Sequence, residues 1–145
     1  MRAVVQRVLE ANVSIDGAVC GSIGKGLLVL LGVHKEDQPD DTTWLVNKLI
    51  GLRIFEDQHG KMNLSLQDVA GEMLVISQFT LYGNCANGRR PDFLNAAPPA
   101  TAIPIYEKFV DEVKKELGKV QTGRFGAYMK VSLVNDGPVT IIVEK

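Results

Sequence analysis

Ser77, Gln78 and Thr80 are the residues of this chain whose types and spacing are best suited to shared chemistry. They close the stretch Met73-Leu74-Val75-Ile76-Ser77-Gln78-Phe79-Thr80-Leu81-Tyr82-Gly83, where an apolar run gives way to two hydroxyls and a carboxamide just before a glycine-containing loop. The apolar part reads as a buried strand. Polar side chains at the end of such a strand need hydrogen-bonding partners. In a structural reading, the hydroxyls bond to neighbouring backbone. In a functional reading, the strand end is the floor of a site, and the backbone N–H groups of Gln78, Phe79 and Thr80 hold a developing oxyanion. A regular strand puts Ser77 and Phe79 on one face and Gln78 and Thr80 on the other. Ser77 and Thr80 can therefore act on one atom only if the strand bends.

Familiar catalytic kits are absent from the sequence. It contains no Gly-x-Ser-x-Gly elbow, no His-Glu-x-x-His, no P-loop and no dinucleotide fingerprint, and Gly24-Lys25-Gly26 is too short to serve as one. His34 and His59 are the only histidines, and neither stands beside a Ser or Cys in a motif. His34 reads as structural or exposed, and His59 as solvated in a turn. No spacing suggests metal ligands, so neither a metal nor a cofactor is expected. Cys20 and Cys85 lie outside any Cys-x-x-Cys and read as free thiols in a reducing compartment. Arg89 and Arg90 are either a solvated pair or a phosphate contact. Gly137-Pro138 on its own reads as an ordinary trans turn, since X-Pro bonds are cis in only about 5–6% of folded cases.

The elements that must position these residues are legible in order. Residues 2–9 read as a strand. Asn12–Ile15 and Ala18–Cys20 read as a hairpin about Asp16-Gly17. Leu27–Val33 reads as a strand buried on both faces. Pro39-Asp40-Asp41 opens a helix with an acidic first turn, carrying Trp44, Leu45, Leu49 and Leu52 at helical spacing and weakened in its middle by Gly51. Residues 53–56 read as extended, 57–60 as a turn, 63–66 as a short strand and 68–71 as another turn. The strand that ends in the polar cluster is expected over 72–81. An irregular loop, 84–93, follows it, of a length often tied to function. A helix is expected over 101–117 with Tyr106, Phe109, Val110, Val113 and Leu117 on its apolar face and Gly118 as its stop. Strands are expected over 127–134 and 139–143, joined by a tight Asn135-Asp136-Gly137-Pro138 connection. Many strands and two helices imply an α+β fold, with antiparallel, barrel-like sheets and two main helices, in a single domain over residues 1–145.

Composition narrows the partners. The chain has 145 residues, 46% hydrophobic and 23% charged, a globular balance large enough to bury roughly 68% of its extended surface. Its formal net charge is −1, so any nucleic-acid contact is local rather than spread over a basic surface. The N-terminus carries no signal-like segment, and Leu27–Leu31 is too short to span a membrane. A soluble, cytoplasmic protein is expected.

Ser77-Gln78-Phe79-Thr80-Leu81 and Asn135-Asp136-Gly137-Pro138-Val139-Thr140 resemble the two signature motifs of the D-aminoacyl-tRNA deacylases. Val5-Gln6-Arg7-Val8, Gly26–Val33, Arg53-Ile54-Phe55, Gly60–Asn63, Arg90-Pro91-Asp92-Phe93 and Thr122–Ala127 are similar to further segments of that family, in the family's order and across essentially the whole chain. The resemblance implies a cytoplasmic homodimer that hydrolyses the ester joining a D-amino acid, or glycine, to the 3′ end of tRNA, with neither DNA nor membrane as partner. It implies a catalytic segment of Ser77, Gln78, Phe79 and Thr80. It also implies a cis Gly137-Pro138 that reaches into the partner subunit's site, with Arg7 holding its orientation, and a substrate pocket lined by Phe125 and Met129. A non-catalytic RNA-binding module and a D-amino-acid-binding protein are the alternatives from other classes.

Overall fold

A computed structural model describes residues 1–145. Its first strand, β1 (Arg2–Ile15), turns at Asp16-Gly17 into β2 (Ala18–Ile23). Both turn residues have positive φ, 51° and 83°, as the tight two-residue hairpin turn requires. β3 (Gly26–Gly32) continues along the same edge of β1: Ile23 pairs with Ala11 and Gly26 with Val8, at one unbroken offset. β2 and β3 are thus a single line interrupted at Gly24-Lys25. β6 (Glu72–Ser77) lies parallel to β3, and the two-residue β7 (Gln121–Thr122) lies parallel to β6. The other edge of β1 pairs antiparallel with β8 (Lys130–Glu144). Antiparallel pairing holds around β1, and the sheet as a whole is mixed.

The sheet curls toward closure because β2 folds back over β6 and β7. Gly21 makes this possible: a Cβ there would sit 2.8 Å from the Thr122 carbonyl oxygen. The curl creates two apolar compartments. Leu28, Leu74 and Ile76 point inward with Val8, Ala11, Val13 and Ile23. Leu27, Val29, Leu31, Met73 and Val75 point outward against two helices, α1 (Asp41–Ile50) and α2 (Pro99–Leu117). Strand alternation therefore feeds both compartments from the same residues of β3 and β6. Both strands read as continuous apolar runs because both faces are covered.

Several expectations shift in register. α1 ends at Gly51, which caps it rather than weakening its middle. Its buried face is Thr42, Leu45, Val46, Leu49 and Ile50, and Trp44 lies partly exposed. α2 begins at Pro99, and Gly118 closes it in the left-handed region at φ 76°. A short pair, β4 (Phe55–Glu56) and β5 (Met62–Leu64), flanks the 57–60 turn. The expected strands at 127–134 and 139–143 are one strand, β8. Residues 135–138 are not a connection between them but an irregularity within it. Between the pairs Gln6–Thr140 and Glu10–Val134, β1 advances four residues while β8 advances six. The surplus is extruded as a bulge at Gly137-Pro138, whose peptide bond is cis and not trans. No helix is long and apolar enough to cross a membrane.

α2 is anchored to the sheet by Phe109, fully buried, and by Tyr106, whose hydroxyl donates to the Val75 carbonyl at 3.0 Å. Truncation of Phe109 to Ala is expected to cost about 3–5 kcal/mol in urea unfolding. Tyr106→Phe leaves the Val75 carbonyl short of a donor and is expected to cost about 1 kcal/mol. Burial pushes the Tyr106 hydroxyl up to about 12. Its pKa is raised on folding, so the stability it carries is intact below the ordinary tyrosine value of about 10 and falls as pH rises from there toward 12. Unfolding curves over that window should decline less steeply for Tyr106→Phe than for the parent chain.

Candidate active site

β6 ends at Ser77, and the chain then turns into one 3-10 turn, Phe79–Tyr82. The Gln78 N–H makes the last ladder bond, to Leu31 O at 2.8 Å. Gly32 lets the turn seat directly on β3, since a Cβ there would lie 3.2 Å from Leu81 Cβ and from the Tyr82 ring. Arg2 pins the turn from outside, stacking 4.9 Å from the Tyr82 ring centroid and donating to the Leu81 carbonyl.

The early end of β6 removes the objection drawn from strand alternation. Ser77 and Thr80 are no longer on one regular strand, so period two does not force them apart. The hydroxyls do not bond to neighbouring backbone, as the structural reading expected, in the case of Thr80: its Oγ1 accepts from Gln78 Nε2. The N–H groups of Phe79 and Thr80 find no turn, loop or side-chain acceptor. The first N–H groups of a helical turn have no partner within it.

Ser77, Gln78 and Phe79 form one wall of a cavity of about 490 Å³. Leu31 and Val33 of the β3 end, the α2 residues Pro99, Ala102 and Tyr106, and the segment Phe125–Met129 complete it. Phe125 packs edge-on against Tyr106, with ring centroids 5.8 Å apart. Met129 lies over Gly123, where any Cβ would collide with the thioether sulfur. Phe79 is 57% exposed at the mouth and stacks in a T-shape on Phe93, centroids 5.1 Å apart. Tyr128, 86% exposed, stands on the other rim.

The cavity is apolar and holds no carboxylate, imidazole, amine or guanidinium. Its buried phenol, Tyr106, is held protonated by burial and donates to Val75, so it is no base. His34 lies elsewhere, against the Tyr82 ring at 5.1 Å. His59 is exposed in the 57–60 turn, where its backbone N–H donates to Asp57 Oδ1. No group of three or more His, Cys, Asp or Glu side chains is arranged to hold a metal ion.

The structure therefore brings Ser77, Gln78, Phe79, Phe125 and Met129 to one cavity, with the exposed Thr80 at its edge. It leaves Arg7, Gly137 and Pro138 outside. Arg7 is only 4% exposed. Its guanidinium donates to Asp136 O at 3.2 Å and Ile54 O at 2.6 Å, and pairs with the Asp136 carboxylate at 3.1 Å. Asn135 ties the other side of the bulge, donating to Arg7 O and Val139 O at 3.0 Å each. Gly137 has φ +119°, and a Cβ there would press to 2.9 Å from Arg7 Nη2. A buried cation thus holds an exposed, side-chain-poor dipeptide outward. Residue reasoning did not assign Tyr106, Tyr128, Ala97, Pro99 or Val131 to the cavity. Tyr106 carried one signal, as the polar-tipped member of an apolar helix face.

Residues 4–144 match the family model described as D-Tyr-tRNA(Tyr) deacylase. A D-aminoacyl-tRNA deacylase of Desulfatibacillum aliphaticivorans is 61% identical over 144 residues, covering 99% of each chain. One of Thermosipho melanesiensis is 58% identical over 145 residues, covering 99% of this chain and 97% of that one. Among solved structures, one titled "c-Myc DNA Unwinding Element Binding Protein" superposes with a TM-score of 0.94 at 42% identity, covering 100% of this chain and 99% of the other. Another, titled "Structural Analysis of a probable eukaryotic D-amino acid tRNA deacylase", has a TM-score of 0.88 at 16% identity over 98% of this chain and 97% of that one, a likeness of fold alone. With a near-complete family match and relatives this similar over the full chain, the protein belongs to the D-Tyr-tRNA(Tyr) deacylase family and is a hydrolase that acts on D-aminoacyl-tRNA.

Proposed function

We propose that the cavity beside Ser77–Thr80 takes the aminoacylated 3′ end of tRNA, cleaves D-aminoacyl and glycyl esters there, and spares L-aminoacyl esters. The observation that carries this reading is the pairing of free backbone donors at Phe79 and Thr80 with a cavity that contains no base. An aminoacyl ester is already activated, so oxyanion stabilisation is the main requirement. Each donor of this kind is worth roughly 2.7–4 kcal/mol in other hydrolases. The attacking water is then activated by the substrate's own ribose 2′-OH. Ser77 and Gln78 orient the ester, and Phe125 and Met129 pack against the substrate. Thr80 positions Gln78 through its hydroxyl and supplies a backbone donor, since a nucleophilic role would need a neighbouring base.

Chirality is decided by exclusion. Gly137 and Pro138 line no part of their own chain's cavity and point outward from the β8 bulge, braced by Arg7. In a homodimer, that dipeptide is available to wall the partner's cavity. A rigid surface without a Cβ holds the α-amino group and leaves no room for an L side chain, while glycine passes because it has nothing to exclude. The homodimer and a cytoplasmic setting are part of this proposal.

Matched D-tyrosyl-, L-tyrosyl- and glycyl-tRNA test it directly: D and glycyl esters are expected to be cleaved and the L ester spared. Equal cleavage of D and L would discard the chiral wall and keep the esterase. Thr80→Ala is expected to retain most activity, losing far less than the roughly 100-fold that follows removal of an oxyanion donor. Abolished turnover would instead make Thr80 the nucleophile. Gly137→Ala must displace Arg7 or the bulge, and an error near 1 Å at a reacting centre costs about 100-fold. Unchanged turnover of a folded Gly137→Ala enzyme would refute the placement of this dipeptide.

A further inference from the structure

The chain has six arginines. Arg2 pairs with Glu144, Arg7 with Asp136, and Arg53 is held by the Asn63 carbonyl at 2.7 Å. The remaining three, Arg89, Arg90 and Arg124, are exposed and have neither an ion pair nor a hydrogen bond from the guanidinium. All three stand on the two loops that flank the cavity mouth. Arg124 is adjacent to Phe125, which lines the cavity, and consecutive Cα atoms are about 3.8 Å apart. Arg90 is separated by three residues of chain, at most about 11 Å, from Phe93, which stacks on the cavity residue Phe79.

The loop that carries Arg89 and Arg90 is braced at its base. Asn84 and Asp92 exchange backbone hydrogen bonds of 2.8 and 3.1 Å. The Asp92 carboxylate, the only one on either loop, is occupied by the Asn84 side chain and the Leu94 N–H. Gly83 lets Phe93 close against the turn, since a Cβ there would lie 3.0 Å from its ring. Both exposed rings of the cavity wall accompany the arginines: Phe79, which stacks on Phe93 of the first loop, and Tyr128, which stands on the same segment as Arg124. Unpartnered guanidiniums interleaved with exposed aromatics are what a single-stranded nucleic-acid end requires: charge for the backbone, and π-faces for unstacked bases.

We infer that Arg89, Arg90 and Arg124 form a clamp around the cavity mouth that takes the backbone phosphates of the nucleotides just before tRNA's aminoacylated terminal adenosine. The clamp rests on the reading of the cavity as the ester site. It gives a chain of net charge −1 a local basic footprint where the substrate's 3′ end enters. Guanidiniums suit the task because they bind phosphate in fixed fork geometry. These are positioning residues, and none of them lines the cavity.

The test compares the R89Q/R90Q/R124Q variant with the parent enzyme on D-tyrosyl-tRNA and on 3′-O-D-tyrosyl-adenosine, which has no preceding phosphates. The ratio of kcat/KM for the long to the short substrate should fall roughly tenfold to a hundredfold. The slope of log kcat/KM against log salt for the tRNA should flatten by about two, as expected for three lost contacts to a single strand. An unchanged ratio and slope would overturn the clamp, as would a parallel loss on both substrates. R124Q and R89Q/R90Q are measured separately as well, so that a folding defect in one loop leaves the other informative. If the parent enzyme cleaves neither substrate, the reading of the cavity fails, and the clamp is judged by the salt slope for binding uncharged tRNA. Retention of that slope in the variant would sink it.

Discussion

Burial of β6 on both faces is the constraint on which the rest of this molecule depends. Met73 and Val75 complete the compartment under the two helices, and Leu74 and Ile76 complete the one inside the curled sheet. Each such side chain contributes roughly 1.5–3 kcal/mol on burial, more than any single hydrogen bond at the site. The strand's position and register against β3 are therefore set by packing. The polar residues are carried wherever the apolar run stops. It stops at Ser77 because Gly32 on the neighbouring strand leaves space for the chain to turn.

That turn sets the backbone at the edge of the cavity. A continued strand would have consumed the Thr80 N–H in the ladder with β3, since the Gln78 N–H faces that edge and N–H groups alternate. A short 3-10 turn leaves the Phe79 and Thr80 N–H groups free, beside a cavity whose other walls come from α2 and from the segment before β8. A base-free, apolar cavity suits an activated ester, and the same walls would be poor at cleaving an amide. The donors at the site are backbone and its lining is mostly hydrocarbon.

The β8 bulge is built by different physics. There a buried guanidinium satisfies the backbone of Ile54 and Asp136 and neutralises the Asp136 carboxylate. Removing such a cation would strand those groups, so Arg7 is locked in place by its own desolvation. The rigidity it gives Gly137-Pro138 has no use within the chain's own cavity. The likeness of this chain to its relatives extends over both motifs.

Sequence alone determined the features that depend on local chemistry and hydrophobic period. The Asp16-Gly17 hairpin, the doubly buried runs of β3 and β6, the α2 face around Phe109 and the Gly118 stop were legible because each is written in neighbouring residues. Family resemblance pointed to 77–80, Phe125 and Met129, of which Ser77, Gln78, Phe79, Phe125 and Met129 line one cavity, and to the 135–140 motif, which lies outside it. Tertiary structure decided what depends on contacts distant in sequence. Gly51 caps α1, rather than interrupting it, because the chain must leave the helix there. The 135–138 segment is a bulge and not a connection because β1 pairs with β8 on both sides of it. The Gly137-Pro138 bond is cis, against the intrinsic preference of the dipeptide. The cavity itself joins β3, β6, α2 and the 125–129 segment, and no periodicity within one element states which elements meet. Apolar pattern says that a face is buried, but only packing says against what.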